Sequence, residues 1–441
     1  MKLPLKAPQY RKLLLEIDSK RMMDILNICS EHIPNKYLHW DQLRHRNPPD
    51  GISHQEWWVA IKFERRPNND ITFMDKNQNS FNFSTVEPIP EILHEIDLNA
   101  GGGLLMQDDH ISSEMRDQYI VRSLIEEAIT SSQLEGASTT KVVAKELIRT
   151  GRKPIDRHEK MILNNFNTMK SIIKFCKEPL TNELVFRIHE LITRGTLDDP
   201  SAAGRFRRND EEINVYDKRD NTLLHVPPDS SELEDRMKKM CDFANGKDES
   251  GFIHPVIRSI ILHFWLAYDH PFCDGNGRTA RALFYWSMLR HKYWLFEFVS
   301  ISEIILKGPA KYARAFLYTE TDDNDLTYFI IYHLDILRRS INRLSEYIER
   351  RTRQLKKVES NLKSVSILNH RQRALVSHAL NHLNTIYTVK GHQTSHNVTY
   401  QTARTDLLGL EDMGLFSSSK FRKTWHFEPV PDLEEKLANL N

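Results

Sequence analysis

Cysteine is scarce in this chain. Four occur among 441 residues, Cys29, Cys176, Cys241 and Cys273, and no two are spaced as C-x-x-C. That pattern argues against a disulfide framework or a zinc site and for a reducing cytoplasm. Charge of one sign is lacking too: 61 Lys and Arg stand against 60 Asp and Glu, so bulk electrostatics favours neither nucleic acid nor a membrane surface as partner. The most apolar run, Ile257 to Tyr268, falls well short of the ~20 residues that span a bilayer. The start MKLPLKAPQYRK lacks the continuous apolar stretch of a secretory signal. There is no internal repeat and no low-complexity tract. Gly101-Gly102-Gly103 lacks the Lys-Ser/Thr of a phosphate-binding P-loop and reads as a connector. These absences leave an intracellular protein with no membrane partner as the expectation, and the length points to about two or three domains.

What is present concentrates in His270-Pro271-Phe272-Cys273-Asp274-Gly275-Asn276-Gly277-Arg278-Thr279-Ala280-Arg281. Before it, Ile257, Ile260, Ile261, Phe264, Trp265 and Tyr268 recur at helical spacing, predicting a buried helix. Pro271 disfavours the αR conformation at His270, so that helix should end there. Asp274 to Gly277 is turn chemistry, and Asn276 reads as the N-cap of a second helix running to about His291. Such a loop presents glycine amides at a helix N-terminus, an anion site by construction. Gly275 and Gly277 let a phosphate approach the backbone. Arg278 and Arg281 share a helical face and can fork onto phosphate oxygens. Asp274 beside phosphates calls for Mg²⁺ between them. His270 can take a proton from a hydroxyl. Taken singly each element is commonplace, and a plain helical corner with a capping Asn would explain it. Together they describe a site that holds a nucleoside triphosphate.

The segment resembles the motif H-P-F-x-[D/E]-G-N-G-R-x-x-R of the Fic family at every specified position. The resemblance implies a helical core and transfer of AMP from ATP to a Ser, Thr or Tyr hydroxyl of a protein target, self-modification included. It implies His270 as general base, Phe272 as core anchor and Asp274 as the Mg²⁺ ligand. Gly275, Asn276 and Gly277 become the anion hole, and Arg278 and Arg281 the phosphate ligands. Upstream, Ser131-Ser132-Gln133-Leu134-Glu135-Gly136 is similar to the family's inhibitory motif [S/T]-x-x-x-E-[G/N]. Ser131 and Glu135 face the same way on a helix expected over about 117–136, with Gly136 at its C′ position. The resemblance implies that Glu135 pairs with Arg281 and blocks productive ATP binding. A third similarity, Gly204-Arg205-Phe206-Arg207 through Pro227-Pro228, implies a β-hairpin flap. Ala203 stands where the family often has Pro. Ile213, Val215, Leu224 and Val226 alternate around a turn at residues 217–221. Removal of AMP and use of another nucleotide remain alternatives, and a homodimer is plausible from the family.

The expected organisation is mainly α. It comprises an α+β accessory region (1–112), a Fic helical core with a β-hairpin flap (113–358) and a C-terminal winged helix (359–441). In the accessory region, Arg11 to Ser30 is helical, Asp70 to Phe83 forms a hairpin turning at Asn77-Gln78-Asn79, and Trp40, Trp57 and Trp58 pack in a core. In the core, helices are expected over Thr181–Thr193, Ser230–Asn245 and Asp325–Arg350. In the tail, His370–Leu383 and a Thr399-capped helix precede a wing from Phe416 to Phe427 with Lys420, Arg422 and Lys423. Gln401, Thr402 and Arg404 would then lie near DNA bases. A DNA-binding regulator with a Fic-like sensor core is accordingly the alternative of another class, and dimerisation or substrate docking is the other use of such a tail.

Overall fold

The computed structural model describes residues 2–65, 69–101, 113–217, 219–248, 251–364, 367–381, 385–421 and 424–438. Gly102 and Gly103 of the connector, Leu383 at the end of the expected tail helix, and Arg422 and Lys423 of the wing lie outside them. Helices dominate the described residues, with three two-stranded antiparallel hairpins. The mainly α architecture is thus as expected. Among the described residues no helix is long and apolar enough to cross a membrane, and all four cysteines are free. The chain divides into two compact units, residues 1–103 with 122–341, and residues 104–121 with 342–441.

In the first unit the periodic stretch at residues 11–30 resolves into two helices, α1 (Tyr10–Glu16) and α2 (Ser19–Cys29). Asp18 breaks it, because its carboxylate accepts the N–H groups of Lys20 and Arg21 at 3.0 and 2.9 Å and caps α2. After α3 (Trp40–Leu43), α4 (His54–Arg65) carries the apolar run at Trp57. Trp40, Trp57 and Trp58 are all buried, as core residues should be. Strands β1 (Asn69–Met74) and β2 (Ser80–Phe83) form the expected hairpin, with Gln78 at φ 63° in its turn. The Asp75 carboxylate accepts the N–H groups of Asn77 and Asn79 at 2.8 Å each and fixes that turn. Helix α5 (Ile89–Ile96) follows.

Helix α6 (Ser113–Leu134) is longer at its start than expected and ends just before Glu135. Gly136 (φ 99°) donates to Gln133 O and Ala137 N–H to Ser132 O, both at 3.0 Å. This is a Schellman cap, in which glycine alone takes the left-handed position without strain. Helices α7 (Lys141–Thr150), α8 (Arg157–Phe175) and α9 (Asn182–Thr193) come next, N-capped by Thr140, Asp156 and Thr181. Strands β3 (Val215–Tyr216) and β4 (Leu223–His225) form a short hairpin, and α10 (Leu233–Ala244) follows it. The central pair is α11 (Pro255–Asp269) and α12 (Asn276–Arg290), then α13 (Ser302–Ile305), α14 (Pro309–Thr321) and α15 (Thr327–Ser364).

Helix α11 is apolar on every side because every side is covered. Val256 to Leu266 are all buried. One cover is the β1–β2 hairpin: Phe73 stacks on Phe81 and on Trp265, with ring centroids 4.1 and 4.3 Å apart. Another link is the buried Lys62 ammonium, 3.1 Å from Asp322 and 3.6 Å from Asp325. Residues 1–103 therefore share a core with α11 and the α14–α15 connection.

The second unit holds α16 (His370–Asn381), α17 (Val389–His396), α18 (Tyr400–Asp412), the hairpin β5 (Phe416–Phe421) and β6 (Thr424–Pro429), and α19 (Leu433–Ala438). Thr399 caps α18 by accepting the Thr402 N–H at 3.2 Å. Gln401 and Arg404 are exposed and Thr402 is half-buried. Asp406 points inward and accepts from Arg371 Nε (2.6 Å) and Asn369 Nδ2 (2.7 Å), tying α18 to the start of α16. Helices α17 and α19 were not expected: VKGHQTSH has no apolar period to announce a helix.

Candidate active site

Helix α11 ends where the proline rule predicts. His270 is its C-cap, in the left-handed conformation (φ 45°, ψ 54°), with its N–H on Leu266 O at 3.0 Å. A non-glycine residue in this conformation is strained, and the neighbours hold it there. Arg207 donates from Nε to His270 O at 3.0 Å and from its backbone N–H to Pro271 O at 2.8 Å, and its Nη2 bonds Pro228 O. The half-buried imidazole has its Nδ1 3.3 Å from Ala267 O. Desolvation lowers its pKa to about 4, so the ring is neutral at physiological pH and keeps a nitrogen lone pair that can accept a proton.

The start of α12 differs from the expected form. Gly275 (φ 86°), not Asn276, is the N-cap. The Asn276 side chain is committed elsewhere: Oδ1 accepts the Phe272 N–H at 2.9 Å and Nδ2 donates to Phe272 O at 2.7 Å. The asparagine thus closes the loop on itself and leaves the helix N-terminus to other anions. A Cβ on Gly275 would also strike Thr193 Cγ2 at 2.8 Å. Phe272 is fully buried and stacks on His189, with centroids 3.7 Å apart.

His189, on α9, was missed by sequence reasoning. Its Nδ1 accepts the Gly204 N–H at 3.1 Å, which leaves the proton on Nε2 to be donated to Asp274 O at 2.9 Å. Burial holds its pKa at about 4, so this tautomer persists and fixes the loop. Nothing in the sequence separates this histidine from the core residues around it.

The two arginines are buried within the site. Arg278 reaches Ile192 O (3.2 Å) and lies 3.5 Å from Asp274, while its buried Nε finds no partner among the described residues. Arg281 donates from Nε to Ser131 Oγ (2.8 Å) and from Nη2 to Ser131 O (3.0 Å) and Glu135 Oε1 (2.8 Å). The Glu135 carboxylate lies across the first turn of α12, where a Cβ on Gly277 would overlap it. Ser131, Glu135 and Arg281 therefore meet, with Gly136 in the cap behind them. Asp274 is 42% exposed; Oδ1 accepts the Gly275 N–H at 2.6 Å, and Oδ2 faces Arg278 and Arg157 at 3.5 and 3.6 Å. A half-exposed carboxylate beside a helix N-terminus is a group that could hold Mg²⁺, an ion that commonly takes one carboxylate with its other ligands from phosphates and water. Cys273 sits at the rim near Glu211, and burial followed by that carboxylate raises its thiol pKa to about 11, which favours the thiol over the thiolate at neutral pH.

The β3–β4 hairpin stands beside the loop. Val215 pairs with His225 and Tyr216 with Leu223, and Tyr216, Leu223 and Val226 are exposed. His225 fastens the hairpin: Nε2 lies 2.7 Å from Tyr268 O and Nδ1 2.7 Å from Glu320 Oε2.

Comparison with known proteins agrees with this geometry. A model of the Fic/DOC family matches residues 179–288. The chain is 30% identical over 159 residues to a protein adenylyltransferase Fic of Nematostella vectensis, covering 35% of this chain and 34% of that one. It is 29% identical over 168 residues to the corresponding protein of Drosophila willistoni, covering 36% and 31%. The chain thus spans about a third of the length of the curated relatives it matches. A crystal structure of a Fic family protein from Desulfovibrio desulfuricans G20 superposes with a TM-score of 0.52 at 18% identity, over 79% of this chain and 97% of that one. Residues 179–288, which span α9 to α12 and the loop, thus match a Fic/DOC domain, and the fold is similar to that of a Fic family protein.

Proposed function

We propose that this protein transfers AMP from ATP to a side-chain hydroxyl of a protein, and that Glu135 restrains the reaction. The observation that carries the reading is the convergence of Arg278, Arg281 and the glycine-lined start of α12 beside a neutral His270. The triphosphate lies along the first turn of α12, where backbone N–H groups and the helix dipole favour negative charge. His270 accepts the proton of the incoming hydroxyl. The hydroxyl oxygen forms a bond to the α-phosphorus, and the bond to the β-phosphate oxygen breaks to release pyrophosphate. Arg278 and Arg281 stabilise the charge that builds on the phosphates. Asp274 would hold Mg²⁺, which when bound neutralises phosphate charge. The exposed edge and apolar side chains of the β3–β4 hairpin suit an acceptor segment that adds as a strand.

Glu135 supports the restrained reading in two ways. It occupies the space over Gly277 that a phosphate needs, and it engages the Arg281 guanidinium that would grip the γ-phosphate. The test is self-labelling with ATP labelled in the α-phosphate. Glu135→Gly should label strongly where wild type labels weakly, and adding His270→Ala should abolish it. Label arriving from the γ-phosphate would identify phosphoryl transfer instead, and absence of label from every nucleotide would end the proposal.

A further inference from the structure

Helix α6 meets α12 along a polar stripe that extends well beyond the Glu135 contact. Glu127, Ser131 and Glu135 are spaced by four residues, so they lie on one face of α6 and its cap. On α12 their partners are Tyr285, Arg281 and Gly277, spaced by four in the opposite direction. The two helices run antiparallel with each polar group in register. Glu127 is the far end of that stripe and only 2% exposed. Its Oε2 lies 2.9 Å from the Tyr285 hydroxyl and accepts from Ser300 Oγ at 2.8 Å and Ser302 N–H at 3.0 Å; its Oε1 accepts from Ser302 Oγ at 2.5 Å. Tyr285 itself accepts the Ile301 N–H at 2.9 Å.

A buried carboxylate with four donors is a geometrically exact lock rather than a source of stability, because its desolvation offsets much of what the bonds return. What such a lock sets is register. Apolar packing between α6 and its neighbours tolerates small slides; a carboxylate held from Tyr285, Ser300 and Ser302 does not. A slide or rotation of α6 would move Glu135 off Arg281 and away from the first turn of α12.

We propose that Glu127 is a positioning residue for the restraint: by pinning α6 to α12 and to the start of α13, it holds Glu135 over the phosphate cradle. This rests on the reading that Glu135 restrains nucleotide transfer. It assigns the 299–302 segment, through Ser300 and Ser302, as a place from which the restraint is loosened without touching the active site.

The experiment compares self-labelling and Mg·ATP affinity by calorimetry in wild type, Glu127→Gln, Tyr285→Phe, Glu135→Gly and the double variant Glu127→Gln/Glu135→Gly. Loss of a charged hydrogen-bonded anchor should raise labelling by Glu127→Gln about tenfold over wild type, with tighter ATP binding. The double variant should match Glu135→Gly, because the anchor acts only through Glu135. Tyr285→Phe removes one hydroxyl with little change in volume, so it provides the same readout if Glu127→Gln fails to fold, and it should raise labelling in the same direction. Labelling and ATP affinity that stay at wild-type level in both folded variants would overturn the proposal. So would a change of the same size in the Glu135→Gly background. If Glu135→Gly itself transfers nothing, the proposed activity is at fault rather than the anchor.

Discussion

His225 gives a pH prediction that can be worked from geometry. Its two ring nitrogens face the Tyr268 carbonyl and the Glu320 carboxylate, each at 2.7 Å. Both partners are acceptors, so both nitrogens must carry protons and the ring must be an imidazolium. Burial opposes that charge, but Glu320 and the carbonyl outweigh it and raise the pKa above 6.5, while Lys76 works against them. The sign follows from linkage. A raised folded-state pKa means that the clamp is complete below the unfolded value and is lost as pH rises through the folded one. His270 runs the other way, since its lowered pKa leaves the base neutral above a value near 4.

Labelling by a Glu135→Gly protein should therefore rise through an acid limb set by His270 and fall along an alkaline limb set by His225. His225→Gln keeps one N–H for Tyr268 O and loses the charged bond to Glu320, a contact of about 1.5–3 kcal/mol. If the β3–β4 hairpin presents the acceptor, roughly the lower bound should appear as about a tenfold loss in the labelling rate near neutral pH. The alkaline limb should vanish, and the acid limb should stay or move towards the ordinary histidine value, because a positive charge near His270 is gone. The assay is the initial labelling rate from about pH 3 to about pH 9, with thermal melts at each pH to mark where the fold is lost. An alkaline limb unchanged in His225→Gln would refute the reasoning, as would a wild-type rate at neutral pH.

The loop makes two further predictions. Gly275→Ala meets both a left-handed backbone and the Thr193 methyl, and should destabilise by on the order of 2 kcal/mol or more, read as a lower melting temperature. His189→Ala removes the ring stacked on Phe272 and the donor to Asp274 O; a loss of about 3 kcal/mol is expected by chemical denaturation, with weaker Mg·ATP affinity than the stability loss alone accounts for.

What the sequence revealed here is what repeats or what is rare. The run from Ile257 to Tyr268 marks a buried helix because its apolar residues recur, and Pro271 marks its end. The loop residues stand out because glycine, asparagine and arginine seldom crowd together. Asn276 was legible as a loop residue but not in its role, since capping and loop closure demand the same side chain and only the position of Phe272 decides between them. His189 and Glu127 were invisible for opposite reasons. A histidine in an apolar helix looks like core, and a glutamate in a charged stretch looks solvated. Each is defined by partners about 85 to 175 residues away, at Asp274 and Ser302, which no local period encodes. The split at Asp18 was readable in principle, because an aspartate before a helical run is a cap signal, yet continuous periodicity on both sides conceals it.

The segment from His270 to Gly275 also shows how hydrogen bonds hold a strained corner in place. Five of its six carbonyls are taken up: His270 and Pro271 by Arg207, Phe272 by Asn276, Asp274 by His189, and Gly275 by the Thr279 N–H. The donors come from α9, from the approach to the hairpin and from α12 itself, so no single element can shift and carry the loop with it. Consumption of the carbonyls also has an electrostatic consequence. With those carbonyls bonded, the first-turn N–H groups of α12, for which the helix ladder has no acceptors, weigh most in the local dipole field. A site built this way is positive before any arginine is counted. The proposed restraint follows the same electrostatics: Glu135 places its carboxylate on Arg281 and over Gly277, so on that proposal ATP would compete with it for both the guanidinium and the helix terminus.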